Sequence, residues 1–424
     1  MCRFRASGIR TGLHACTTIL WLVACGCDAR TPLDEEARQY VRLAVALGER
    51  DPDSLDFYAG PAEQVADIRR GPPPLAVIRR DAERLSTRIR ARQDRDPAER
   101  TRAAALVRDL AAIAARIDLL TGVRLTYDQE SLAFFGIVPG PIDRRGLDDV
   151  RARIAASLGG GRLVDRYAAF AARFTISPDR LEPVMAAALD ACRRATLARV
   201  ALPPGEHATL EFVHDRPWGA FSRYLGGAHS VIQVNTDFRF TIDQALQIAC
   251  HEGYPGHHSR NTLRNAAGRD ARVERSVQLT FSPESLASEA SAMLAADVAF
   301  SPDDRLRVER DRLFPLAKLT ADDAALHIQV EHLIGELQLL QADVARRYLD
   351  GELEFARAVT ELEERALVPH AEAQVKYVNQ FRSYVTTYTT GRAFFAARLR
   401  ACEGAAPVDP TRRWRCFQQE SLQP

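Results

Sequence analysis

Residues 251–258 read His-Glu-Gly-Tyr-Pro-Gly-His-His, and the Pro-Gly pair inside that run is the tightest constraint the chain places on its own backbone. Just before it, Thr241 to Cys250 offer a Thr cap, an Asp in the first turn and apolar residues at 242, 245, 246, 248 and 249. That pattern predicts an amphipathic helix running directly into His251. Proline lacks an N–H and clashes with the preceding turn, whereas glycine tolerates almost any backbone, so the helix must bulge or kink at 255–256. The same eight residues hold three of the ten histidines and a carboxylate. A buried helix that delivers unpaired charge into an interior costs on the order of several kcal/mol, so the cluster reads as a metal site.

The simplest zinc-hydrolase signature, HExxH, puts two His ligands one turn apart with the intervening Glu as general base. Here Pro255 occupies i+4, and the second imidazole arrives at i+6 or i+7. On a straight helix i and i+7 are roughly 10.5 Å apart along the axis, against Zn–N distances of roughly 2.0–2.1 Å. A distortion is required. With a bulge His257 returns to the metal, and on an unbulged helix His258 shares the face of His251, so the spacing leaves both open.

Helical periodicity dominates the rest. Residues 34–50, 74–93, 97–120, 144–158, 162–174 and 179–200 alternate Ala, Leu and Val with charged residues at helical spacing, and 283–300, 303–317, 320–350, 353–366 and 370–401 return to it. Two strands are predicted, Ala208–His214 and Ser230–Asn235, both just ahead of the histidine run. No repeat and no Pro-, Gly- or Ser-rich linker divides the chain. The expected organisation is a leader at 1–24, a tether at 25–33, an N-terminal helical half at 34–205, a catalytic half at 206–402 and a tail at 403–424, with a substrate cleft between the halves.

At 46% hydrophobic and 27% charged residues, the composition is that of a globular protein with a large core. The formal charge of +1 becomes −2 once Arg3, Arg5 and Arg10 leave with the leader, and no basic stripe points to nucleic acid. Those arginines precede a short apolar stretch from Leu13 to Ala24, the layout of a secretory signal. Leu22-Val23-Ala24-Cys25 resembles a bacterial lipobox, which predicts lipidation of Cys25 and an enzyme body tethered to the face of an envelope membrane. In such an oxidising compartment Cys402 and Cys416 can close a C-terminal loop, while Cys250 reads as a buried packing cysteine.

The HExxPGHH run resembles the signature of a large bacterial family labelled a domain of unknown function, itself similar to the gluzincin metallopeptidases of the carboxypeptidase Taq and thimet oligopeptidase type. Three further stretches carry the likeness: Pro217–Gly226, His229–Thr236 and Arg382–Gly391. The resemblance implies a mainly α, gluzincin-like metallopeptidase with a small β-sheet beside the metal helix. It implies one zinc ion held by His251, His257 and Glu289, the last within Glu-Ala-Ser-Ala-Met-Leu-Ala-Ala, the nearest match to the family's EGWALYAE. Gly, Trp and the final Glu of that pattern are here Ala290, Ser291 and Ala296. Glu284 is the rival, although a Glu just after a proline at a helix start is favoured by the helix dipole alone. The likeness also gives Ser230–Asn235, through Ser230, Ile232 and Asn235, the role of an edge strand pairing with an extended peptide. Tyr388 becomes the donor to the oxyanion and Glu252 the general base of peptide hydrolysis. Two rivals stand beside this peptidase: an inactive surface lipoprotein that binds peptide or a partner, and a structural zinc protein closing its shell with Cys250.

Overall fold

The structure, a computed structural model, describes residues 33–266, 272–404 and 409–422. The leader, the tether up to residue 32 and Cys25 lie outside the described residues. The protein is mainly helical, and several helices fall where the periodicity puts them because both their ends are chemically marked. Asp96 accepts the Ala98 N–H and Pro97 takes the first position of helix Pro97–Leu120; helices Asp34–Arg50 and Arg144–Leu158 also match to the residue. The helix Tyr127–Phe135 is additional. A capping box between Thr126 and Gln129 starts it, but Glu130, fully buried and paired with Arg382, spoils the apolar stripe that periodicity needs.

Five strands form. β1 (Leu55–Tyr58) pairs antiparallel with β5 (Val277–Leu279), and β2 (His207–Val213), β3 (Ala220–Gly226) and β4 (His229–Asn235) make a second sheet of order β2-β4-β3. β2 and β4 correspond to the two predicted strands; β1, β3 and β5 were not anticipated. β4 runs parallel to β2 and antiparallel to β3, so it is the central strand.

Residues from Leu33 onward cluster as one compact unit. The core does not divide at 205. Helices 144–197 contribute Leu147, Ile154, Phe174, Val184 and Met185 to the same hydrophobic cluster as Ile232, Leu246, Phe314 and Leu362. A separate cluster joins the helices of 34–117 to Val277 and Leu279 of β5. Nor is the C-terminus a loose tail: helix Pro410–Phe417 is tied by a Cys402–Cys416 disulfide, and Trp414, Phe417 and Leu422 bury against Phe395. Among the described residues no helix is long and apolar enough to cross a membrane.

Candidate metal centre

The helix expected from Thr241 is present. Thr241 and Gln244 make a full capping box, Ile242–Ile248 is α-helical, and Ala249–Gly253 widens into a π-helical turn that carries His251 and Glu252. The chain then breaks outright. Tyr254 is extended, the Tyr254–Pro255 peptide is cis, and a new helix, His257–Asn265, starts with Gly256 at its cap and His257 at its first position. Gly256 is obligatory: a Cβ there would lie 1.8 Å from the His251 carbonyl oxygen and 2.5 Å from that of Cys250. The expected kink is therefore a complete break and restart, and it folds residue 257 back over 251.

His251 Nε2 and His257 Nε2 lie 3.1 Å apart, with Glu289 Oε2 at 3.2 Å from the first and Glu289 Oε1 at 3.5 Å from the second. Glu289 comes from helix Pro283–Ala292. Ligand bonds of 2.0–2.2 Å in a tetrahedron give edges of about 3.3–3.6 Å, so the three spacings lie within a few tenths of an ångström of what a zinc shell requires. Glu289 Oε2 is buried and makes no well-aligned hydrogen bond, its contact with His251 Nε2 at 3.2 Å being an ion-pair approach, which leaves a lone pair that a metal ion could use. His257 also holds Ser288 Oγ at 3.0 Å through Nδ1, the outer contact that fixes a ligating imidazole. Burial pulls the His257 pKa down, but the neighbouring Glu289 outweighs it and holds the value at about 9. Burial also opposes ionisation of Glu289, yet His257 and His251 keep its carboxyl well below the usual range.

Glu252 stands beside the cluster, 3.9 Å from His251 Nε2. It is 8% exposed, and burial raises its pKa despite both imidazoles. Glu284 does not join: it sits in the first turn after Ser282 and Pro283 and pairs with Arg260 at 2.6 Å and Arg264 at 3.2 Å. His258 turns away, fully buried between Ser230 Oγ at 2.8 Å and Glu206 Oε2 at 3.0 Å.

Three assignments need correction. β4 is paired on both sides, so Ser230–Asn235 is no edge strand for a substrate. Ser230 is consumed by His258, Ile232 is core, and Asn235 donates to the carbonyls of Arg216 and Trp218. Tyr388 does not touch the cluster; its hydroxyl meets Tyr377 at 3.4 Å and its ring packs on Tyr384. The tyrosine in contact is Tyr384, which donates to Glu289 Oε1 at 2.9 Å. Cys250 is buried as expected but bonded to Cys192, so it is not available as a ligand.

Two residues escaped the sequence. Glu206 accepts from Tyr254 Oη at 2.6 Å and holds His258 and Arg193, clamping both sides of the Pro-Gly break. Burial opposes its charge, but His258, Tyr254 and Arg193 bring its pKa down to about 2. Asp56 on β1, bound by Gln278 at 2.5 Å, faces His257, Glu289 and Glu252, and burial pushes its pKa up to about 7. A lone Glu after Pro-Pro-Gly and a lone Asp in a short strand carry no periodicity or motif that would mark them.

No family model matches the sequence, and no curated protein matches it. Among solved structures, a Shewanella oneidensis protein provisionally named a lipoprotein, of unknown function, aligns over 92% of this chain and 79% of its own. The TM-score is 0.45 at 12% identity, a likeness too low to carry an argument.

Proposed function

We propose that the protein is a zinc-dependent peptidase with one ion held by His251, His257 and Glu289. One observation carries the reading: His251, His257 and Glu289, from three helical segments, converge with imidazole nitrogens 3.1 Å apart and each 3.2–3.5 Å from a Glu289 carboxylate oxygen. Zinc, when bound to such a shell, supplies Lewis acidity towards a carbonyl oxygen and lowers the pKa of water to about 7. Glu252, on the turn that carries His251, takes the proton of the attacking water and returns it to the leaving amine. Tyr384 positions Glu289. The strand that an extended peptide would join is β3, at the edge of its sheet and packed against the turn that carries Glu252. This gluzincin-like arrangement is the one the resemblance in the histidine run implies.

The Cys192–Cys250 and Cys402–Cys416 disulfides fit an oxidising, extracytoplasmic compartment. With the lipobox-like Leu22–Cys25, they support an exported enzyme anchored by lipid at Cys25. Zinc content and hydrolysis of a mixed peptide library, measured on the wild type and on Glu252→Gln, test the function. The variant should keep its zinc and lose about 100- to 10,000-fold in kcat/KM. Activity within tenfold of wild type removes Glu252 from the mechanism. Zinc without turnover in the wild type would favour the peptide-binding alternative, which the replacements at Ala290, Ser291 and Ala296 already motivate.

A further inference from the structure

We infer that a cavity walled by helix His257–Asn265, helix Pro283–Ala292 and strand β5 is an anion-binding site separate from the histidine cluster, taking a carboxylate- or phosphate-type group. Its volume is about 140 Å³, room for a small polar group at about 30 Å³ per water displaced. Four arginines line it, Arg102, Arg264, Arg272 and Arg275, with the acids Asp109, Glu274 and Glu284. Most of these charges are spoken for. Arg102 makes a two-point pair with Glu274 at 2.7 and 2.8 Å, and Glu284 is shared by Arg260 and Arg264. The side chains of Arg272 and Arg275 make no ion pair or hydrogen bond with a described residue; between the two residues there is only the backbone bond from Arg275 N–H to the Arg272 carbonyl at 2.9 Å.

Asp109 cannot balance them fully, because burial first, and then Glu284, push its pKa up to about 7. Arg275 is itself held below its ordinary range by burial and by the like charges of Arg264 and Arg272. Glu274 and Glu284 oppose that crowding from a distance without pairing with Arg272 or Arg275, and the planar forks of N–H donors left on these two side chains match the paired oxygens of carboxylate and phosphate. Asn261, four residues beyond His257, adds a neutral donor to the same wall. Gln278 lines the cavity and also binds Asp56 beside the histidine cluster, so the two sites share a wall. The anion can therefore be a free small ion or the terminal carboxylate of a peptide.

The test uses the full chain without metal and needs no turnover, so it stands or falls apart from the peptidase reading. Calorimetric titration with inorganic phosphate and with acetate, at ionic strength fixed by chloride, should saturate in the wild type. The Arg272→Ala/Arg275→Ala double variant should bind at least tenfold more weakly. Arg272→Lys/Arg275→Lys, which keeps the charge and loses the fork, should fall between, and all three proteins should melt within a few degrees of one another without anion. A peptide with a free C-terminal carboxylate that binds tenfold tighter than its amide, and is displaced by phosphate, identifies the peptide as the source. Equal binding of the two peptides with saturable phosphate identifies a free anion. Absence of saturation by either anion, or equal affinity in the wild type and the double-alanine variant, overturns the site.

Discussion

Two buried polar clusters sit at opposite ends of the helical stretch Ile242–Gly253. At its start, Asp243 and Glu309 share Arg305, which reaches Glu309 at 3.2 Å and Asp297 at 3.5 Å. Glu331 lies nearby, accepting from Tyr167 Oη at 3.1 Å, and His327 stacks on Phe174 with ring centres 4.1 Å apart. At its end, His251, His257 and Glu289 converge. Both regions bury carboxylates, yet the first meets them with a guanidinium and the second with two imidazoles, side chains that can also ligate a metal ion. The difference is in the kind of partner: a guanidinium can only pair, whereas an imidazole that pairs with Glu289 can give up its proton and become a metal ligand. In the Arg305 cluster the charges close on themselves and work as structure.

Breaking the self-paired cluster should have the largest effect on folding. Arg305→Ala strands Asp243 and Glu309 in the interior and should cost about 3–5 kcal/mol in denaturant unfolding; a loss under about 1 kcal/mol would mean that the carboxyls carry no charge to compensate. At the other pole, His251→Ala and Glu289→Ala should each lower zinc affinity by about 100-fold or more, roughly 2.7 kcal/mol, while Glu284→Ala leaves it unchanged. Competition against a fluorescent chelator reads this, and the reverse order between Glu289 and Glu284 would move the third ligand.

The acidity of Glu331 sharpens the contrast further. Burial, with Asp243 adding to it, raises its pKa to about 8. A raised carboxyl stabilises the fold fully below its unfolded value near 4.5, and that contribution disappears as pH rises through 8. Glu331→Gln should thus flatten the decline in melting temperature between pH 5 and pH 8, with a gain of about 1–2 kcal/mol at the upper end; an unchanged slope would assign the decline elsewhere. The smallest effect is expected from Ser288→Ala, which frees His257 Nδ1 and should weaken zinc about tenfold without altering the melt of the metal-free protein.

Read by itself, the sequence determined the helical character, the bounds of helices such as 97–120 and 144–158, and the backbone break at Pro255-Gly256. These depend on caps, on the missing proline N–H and on apolar spacing, all of which act within a few residues. The pair His251 and His257 follows from the same local break once a bulge is admitted, whereas Glu289 came from resemblance and only its helix was periodic. What tertiary structure alone decided is everything that needs a distant partner. Whether β4 lies at an edge depends on β2 and β3 pairing with it, so its central position could not be read from its own alternation. Cys250 looks like any packing cysteine until the helix Pro178–Leu197 brings Cys192, 58 residues earlier, against it. Tyr384 and Tyr388 share one segment, and only the turn at Arg382–Tyr384 decides which hydroxyl reaches Glu289. Glu206 clamps His258 and Tyr254 from a loop some fifty residues away. Local rules fix backbone conformation because their energies act between near neighbours; which side chains meet is fixed by packing contacts that sequence spacing does not encode.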